Sequence, residues 1–337
     1  MNLQRPLLPP PARYFPLDKG VYEVAPGLSP LTRSFGNGPL DQQVFQITKR
    51  FPDFHENKLR CREERLEKYV QRRNLPEATS TAVNRFILER LLQEHPELFH
   101  WKPLPSGGVL ECLHTGARIH LDSNFELAQS SSPSAAGGDP AGYQSAFDAL
   151  CLQFESDRAV MQVEADGNDW LAQIHLCAPS HWAAEEKIGQ PFTAIHAPIP
   201  HIEKVNAAAR GLVNAMIFKG PYVRFVWGFA TDDRLNHHPV SPPGFSAAEW
   251  RGRSFNASRT PSPFLLRVER QVTFGLPAVQ AALFGIHVSF IEGEAIRNHP
   301  KERELLTSAL RSLSPESRIY KSVEGSLESV LEYLSGH

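Results

Sequence analysis

Residues 158–177 read RAVMQVEADGNDWLAQIHLC, and two runs of alternating side chains meet there at Asp166-Gly167. Asp-Gly between such runs is a strong hairpin signal, because the glycine supplies the positive φ that tight turns need. In the first run Val160, Gln162 and Glu164 alternate with Ala159, Met161 and Val163. In the return run Trp170, Ala172, Ile174 and Leu176 share one face, and Leu171, Gln173 and His175 the other. An isolated hairpin is only marginally stable in water, so more strands and a covering layer are required. Three further runs supply the strands. YVRFVWGFAT sets Val223, Phe225, Trp227 and Phe229 against Tyr222, Arg224 and Val226. FLLRVERQVTF sets Leu265, Arg267, Glu269 and Gln271 against Leu266, Val268 and Arg270. ALFGIHVSFIE is apolar enough to be central. The expectation is an α+β fold built on an antiparallel sheet of about five strands, with helices inserted between strands two and three. The inserted helices are a short one that Ser180 caps and Gly189 stops, and a longer one carrying Ile202, Val205, Ala209, Leu212, Val213 and Met216.

The rest of the chain divides around this core. Residues 1–55, rich in Pro, Gly and aromatics, predict an extended N-terminal arm. Tyr14, Phe15 and Phe35 are its exposed aromatics, and it serves as a strap over this chain or over a neighbour. Residues 56–145 are a helical region and linker. There Val83, Phe86, Ile87, Leu91 and Leu92 form one stripe behind a Ser80/Thr81 cap, and 129–142 are low-complexity. Residues 146–300 form the core. Residues 301–337 are C-terminal helices, opened by a Ser314-Pro315 cap signal and closed by a stripe of Val323, Leu327, Val330, Leu331 and Leu334.

With 337 residues, 41% of them hydrophobic, the chain can bury a full core. A net charge of -2 gives no footprint for nucleic acid. No signal-peptide core opens the sequence, and LPAVQAALFGIHVSFI is too short and too polar to span a bilayer. Cys61, Cys112, Cys151 and Cys177 form no CxxC, which argues against a zinc ribbon or dithiol motif and points to a cytoplasmic protein.

IHAPIPH, residues 195–201, is the stiffest candidate for chemistry. Pro198 and Pro200 fix their own φ angles and push Ala197 and Ile199 toward extended geometry. They also keep His196 and His201 off one helical face, so the zinc logic of HExxH fails. A single imidazole suffices for haem iron. His175 and His287 sit mid-strand and read as core histidines. His237-His238 reads as a surface loop. Arg224, Arg267 and Glu269 are charges inside apolar strands, either a solvated face or the polar floor of a pocket. Neither GxGxxG nor GxxxxGK[ST] occurs to hold a nucleotide.

The run LCAPSHWAAEEKIGQPFTAIHAPIP, with YVRFVWGF and FLLRVERQVTFGLPAVQAALFGIHV downstream, resembles the haem-binding alpha subunit family of haem-dependent oxidative N-demethylases over roughly residues 40–320. The most specific pieces are PSxW…EKxG…IHxPxP and LRVERQ…LP. The last strand departs from the pattern, reading FGIHVSF where an Arg-Thr-Tyr-like stretch is expected. The resemblance implies a PAS-like antiparallel sheet cradling haem b. It implies that a secondary amine such as dimethylamine loses a methyl group as formaldehyde, using dioxygen. The electrons come from NADPH through flavin and iron–sulfur reductase partners, and a folate-binding subunit handles the formaldehyde. His196 matches the family's histidine and is the expected haem ligand, with His201 or His175 as the alternatives. Glu269 is a candidate for the ammonium substrate, Arg224 for bound oxygen species or a proton-relaying water, and Arg267 for a haem propionate. The rival reading is a haem sensor or gas-binding protein without turnover.

Overall fold

The computed structural model describes residues 7–128, 142–250, 255–258 and 262–336. The low-complexity stretch 129–141 lies outside the described residues.

Among the described residues ten strands form two antiparallel sheets. In chain order they are β1 (Ser29–Pro30), β2 (Val70–Arg72), β3 (Phe99–Leu104), β4 (Gly107–Cys112), β5 (Arg118–Asp122), β6 (Asp157–Val163), β7 (Asp169–His175), β8 (Tyr222–Ala230), β9 (Leu265–Leu276) and β10 (Ala281–Glu292). The main sheet runs β1-β8-β9-β10-β6-β7-β2, and β3-β4-β5 form the second. The five long strands are those read from alternation. Their hairpin partners are not simply neighbours in sequence: β10 inserts between β9 and β6, so the last strand is central, as its apolar composition requires. The short edge strands β1 and β2, and the whole second sheet, were not anticipated.

The expected hairpin forms with Gly167 at φ +94. One residue changes its faces. Val160 pairs with Gln173, and Met161 pairs with Leu171, leaving Ala172 as an extra residue on β7. This bulge breaks the period of two. Leu171 and Ile174, predicted on opposite faces, therefore join Ala159 and Met161 in one apolar cluster, while Ala172 packs on the other side.

The helices are α1 (Phe51–Tyr69), α2 (Glu77–Glu94), α3 (Ala146–Cys151), α4 (Ala184–Lys187), α5 (Phe192–His196), α6 (Glu203–Ala207), α7 (Ala209–Phe218), α8 (Ala247–Trp250), α9 (Gly293–Arg297), α10 (Pro300–Arg311), α11 (Pro315–Tyr320) and α12 (Leu327–Ser335). Three boundaries differ from expectation. α2 begins after Pro76, and Ser80 lies inside it, its hydroxyl donating to Glu126. The helix expected to run on from Ile202 breaks at Ala208 into α6 and α7. α4 is capped by Ala183, whereas Ser180 bridges to His237; Gly189, at φ +78, stops the segment as expected. α11 is capped by Ser314, which accepts from Ser317 N. Among the described residues no helix is long and apolar enough to cross a membrane.

The sheet separates distinct cores. One face packs against α2, α3 and the second sheet. The opposite face packs against α4 to α7, the helices inserted between β7 and β8. The arm lies on this same chain. Tyr14 is 3% exposed and stacks near Phe35 and Phe225, so the expectation of exposed aromatics fails for it. Arg270 reaches through the sheet's far face to donate to Asp41 O and Gln43 O, both at 2.9 Å. Arg158 donates to Val44 O at 2.6 Å. These buried guanidiniums satisfy arm carbonyls that would otherwise be stranded.

Candidate functional site

Between the sheet and the inserted helices lies a cavity of about 480 Å³, within the range of small-molecule and cofactor sites. Its apolar walls come from two sources. The bulged hairpin and β10 contribute Ala159, Met161, Leu171, Ile174, Phe284 and Ile286. The helices contribute Phe192, Ile195, Val205, Leu212 and Met216. Its polar floor comes from β8 and β9. Arg224, Arg267, Glu269 and Gln271 all line it, because residues two apart on a strand share a face. The alternation read from the sequence therefore places three charges in a pocket, not on a solvated face.

His196 lines the same cavity from the last turn of α5. Its Nδ1 lies 2.7 Å from Phe192 O. A carbonyl only accepts, so Nδ1 carries the hydrogen and Nε2 keeps the lone pair. Burial lowers the imidazole's pKa, only partly offset by the Phe192 carbonyl, and the Arg224 and Lys187 cations push the same way. The ring is therefore neutral at pH 7, the form that ligates metal. Phe192 also packs against the ring, with centroids 4.2 Å apart.

The alternatives to His196 sit elsewhere. His201 is largely exposed, with Nε2 2.9 Å from Ser314 Oγ and 3.8 Å from Glu316. His175 is fully buried on the other side of β7, between Asp148 at 3.4 Å and Cys177 at 3.8 Å. With Asp157 it forms the one cluster of potential metal ligands among the described residues. There, however, the Asp157 carboxylate already accepts from Cys177 N and Ala178 N, and burial raises the Cys177 thiol far above its usual range. These are poor conditions for a thiolate ligand. His287 is a buried histidine with Nε2 2.7 Å from Glu155 and no partner at Nδ1.

The floor residues differ in how they are held. Arg267 is spent on backbone, donating to Ala178 O at 2.7 Å and Leu235 O at 3.1 Å. Its Nε stands 3.9 Å from Glu269. That Nε has no hydrogen-bond partner, so it is the donor of Arg267 left for a propionate. Gln271 donates to Glu269 Oε2 at 3.0 Å and so fixes that carboxylate. Arg224 faces Gln271 across the strand pair, diagonal to Glu269. Its Nε is buried with no hydrogen-bond partner, and burial lowers its pKa while Glu269 opposes the shift. An unpartnered buried donor beside a carboxylate is what a ligand-binding floor looks like before its ligand arrives.

Two groups at this cavity escaped the sequence reading. His181, at φ +61, lines it and stacks face to face on His237, with centroids 5.3 Å apart. Burial, with cationic neighbours, takes His181 down to about 4. His237-His238, expected at the surface, is buried, with His237 2.9 Å from Asp232. A polar, proline-flanked loop hides such burial because its partners, Tyr69 for Asn236 and Glu185 for His238, come from distant segments. Lys321 lines the edge, and nothing in its local pattern distinguishes it from a surface lysine.

A cavity of this volume lined by the neutral imidazoles of His196, which Phe192 O orients, and His181, with wide apolar walls and arginines in its floor, fits a large flat apolar metallocycle with acidic substituents. The family model described as haem-dependent oxidative N-demethylase, alpha subunit-like, matches residues 39–331. That span contains both main-sheet faces, the inserted helices and every floor residue, and the chain belongs to the haem-dependent oxidative N-demethylase alpha subunit-like family.

Proposed function

We propose that this chain is the haem-bearing catalytic subunit of an oxidative N-demethylase. It converts a secondary amine such as dimethylamine to the primary amine and formaldehyde, with dioxygen and electrons that originate in NADPH. The five long strands, with helices between the second and third, support a PAS-like haem core over about residues 146–300. The observation that carries the reading is the meeting of His196, Arg224 and Glu269 in one apolar-walled cavity. Haem, when bound, supplies the oxygen activation and electron transfer that no side chain here provides.

The chain's own residues do the rest. His196 offers Nε2 as the iron ligand, held in place by Phe192 O. Dimethylamine is an ammonium ion at neutral pH, so the site must hold a cation and then take its proton. Glu269, oriented by Gln271, is the acceptor placed to do both. Arg224 steers a water or an anionic oxygen species with the Nε–H that no protein group uses. Arg267 supports Glu269 from behind, and its backbone bonds make it a positioning residue. Partner subunits bearing flavin and an iron–sulfur cluster would deliver the electrons, and a folate-binding partner would receive the formaldehyde.

A sensor needs only the ligating histidine and a gas pocket. The Arg224–Glu269 floor favours turnover over sensing, because it spends desolvation energy on groups a gas ligand does not use. The test is amine-dependent formaldehyde release by the haem-loaded chain with a reductase. A stable haem protein that releases no formaldehyde with any small secondary amine would support the sensor instead.

A further inference from the structure

We infer that Lys321 is a second reactive centre of the cavity, an amine placed to capture a small aldehyde as a carbinolamine and then an imine. Naming that aldehyde formaldehyde rests on the function proposed above; the capture chemistry does not.

Lys321 follows the last turn of α11 and is 6% exposed, yet it lines the main cavity together with Tyr320 and Ser322. Its Nζ donates to Trp227 O. The rings of Trp227, Tyr22 and Tyr320 surround it at 5.0, 5.1 and 5.6 Å. Among the described residues no carboxylate lies within ion-pair distance. Glu269 attracts its charge from farther off, and Arg224 repels it. Burial is the larger influence and takes the amine down to about 8. About one molecule in ten then carries a free amine at pH 7, against well under one in a thousand for an ordinary lysine. A desolvated lysine in an apolar setting is the usual form of a carbonyl-capturing amine.

Two other lysines show why place matters as much as burial. Lys58 is more deeply buried, but its Nζ is fixed by Cys151 O, Phe154 O and Ser156 O, and it does not line the cavity. Lys187 lines the cavity and, like Lys321, donates Nζ to one backbone carbonyl, Ile195 O, but it is only half-buried and has no ring contact among the described residues. Lys321 alone among the three combines an aromatic enclosure with access to the cavity.

The chemistry balances without a further reactant. The Nζ lone pair forms the N–C bond as the carbonyl π bond breaks. The proton leaving nitrogen goes to the alkoxide and gives the carbinolamine. Loss of water gives the imine, and water reverses both steps. A small uncharged carbonyl compound suits an amine lodged among aromatic rings. In the cavity of a demethylase such a residue would hold the product briefly before transfer.

The test is reductive methylation of the full-length chain at pH 7, with sub-stoichiometric formaldehyde and sodium cyanoborohydride, read by peptide mass spectrometry. Lys321 should take the first methyl group, at least tenfold faster than exposed Lys19, and should lose that lead in urea. Lys58 should stay unmodified until unfolding. Lys321→Arg should lose the fast phase. Methylation of Lys321 no faster than that of Lys19 overturns the inference, as does a fast phase that survives in Lys321→Arg. Should the variant fail to fold, the wild-type digest alone decides. Demethylation without capture overturns this inference only, and capture without demethylation overturns only the proposed function.

Discussion

His196 Nδ1 stands 2.7 Å from Phe192 O, one helical turn back in α5, and that single contact fixes which ring nitrogen can ligate. Ala197 keeps helical geometry at φ -51 and ψ -33, not the extended geometry expected before Pro198, so the imidazole is carried at the end of α5 with the chain still turning helically past it. His196→Ala should lose most of the Soret absorbance of the haem-loaded protein while the far-ultraviolet circular dichroism stays unchanged. His196→Gly should regain absorbance when imidazole is added. Wild-type absorbance in His196→Ala, together with its loss in His201→Ala, would move the ligand to the exposed histidine.

Arg224 presents the opposite case, a buried cation that makes no hydrogen bond at Nε. Its orphaned Nε adds little to folding, and Glu269, whose charge it faces, keeps its hydrogen bond from Gln271 when Arg224 is removed. Arg224→Met should therefore stay folded and retain haem. Its kcat for demethylation should fall by about 10²-fold, the usual effect of losing one preorganised donor. A destabilised, haem-free variant would make Arg224 structural.

Arg267 sits two residues from Glu269 on the same strand face and behaves differently, because its guanidinium holds Ala178 O and Leu235 O. Arg267→Met leaves those carbonyls unpaired in a buried loop. The expected cost is roughly 2–4 kcal/mol in urea unfolding, the penalty for stranding two acceptors. A loss below 1 kcal/mol, with haem affinity falling sharply instead, would restore a direct role toward the cofactor.

The period-two alternation of β8 and β9 was legible because both strands are regular, and it put Arg267 and Glu269 on one face of β9; that Arg224 shares that face follows from the register pairing it with Gln271. The same rule failed on β7, where the extra Ala172 sends Leu171 and Ile174 to the same side. A bulge leaves no mark in a run whose residues all suit a strand. The three-stranded sheet was missed because HWKPLPSGGVLEC carries Pro and Gly that read as loop, although Gly107 and Gly108 pair within it. Burial of His237 and Lys321 depends on segments more than fifty residues away, and no local window contains that information. The face within each strand was thus readable, whereas the shared floor and the groups at its rim were set by strand register and tertiary packing.

Acid should weaken the fold through its buried histidines. Burial takes His114 and His181 down to about 4, and it also lowers His196, His237 and His238. His114 and His181 stay neutral in the folded chain between about pH 4 and 6.5, whereas the unfolded chain protonates them below about 6.5, and the other three act in the same direction. The unfolded state then binds more protons, so stability rises with pH across that window and is lost as pH falls. His114 and His181 each contribute a slope of at most about 1.4 kcal/mol per pH unit. His175 acts elsewhere: it is raised to about 9, so its contribution is complete below about 6.5 and fades as pH rises through 9. Urea unfolding at pH 7, 6 and 5 should show a falling midpoint. His114→Gln should flatten the slope by up to about 1.4 kcal/mol per unit. A midpoint independent of pH over this range, or a slope unchanged in His114→Gln, would show that these imidazoles are not held neutral by the fold.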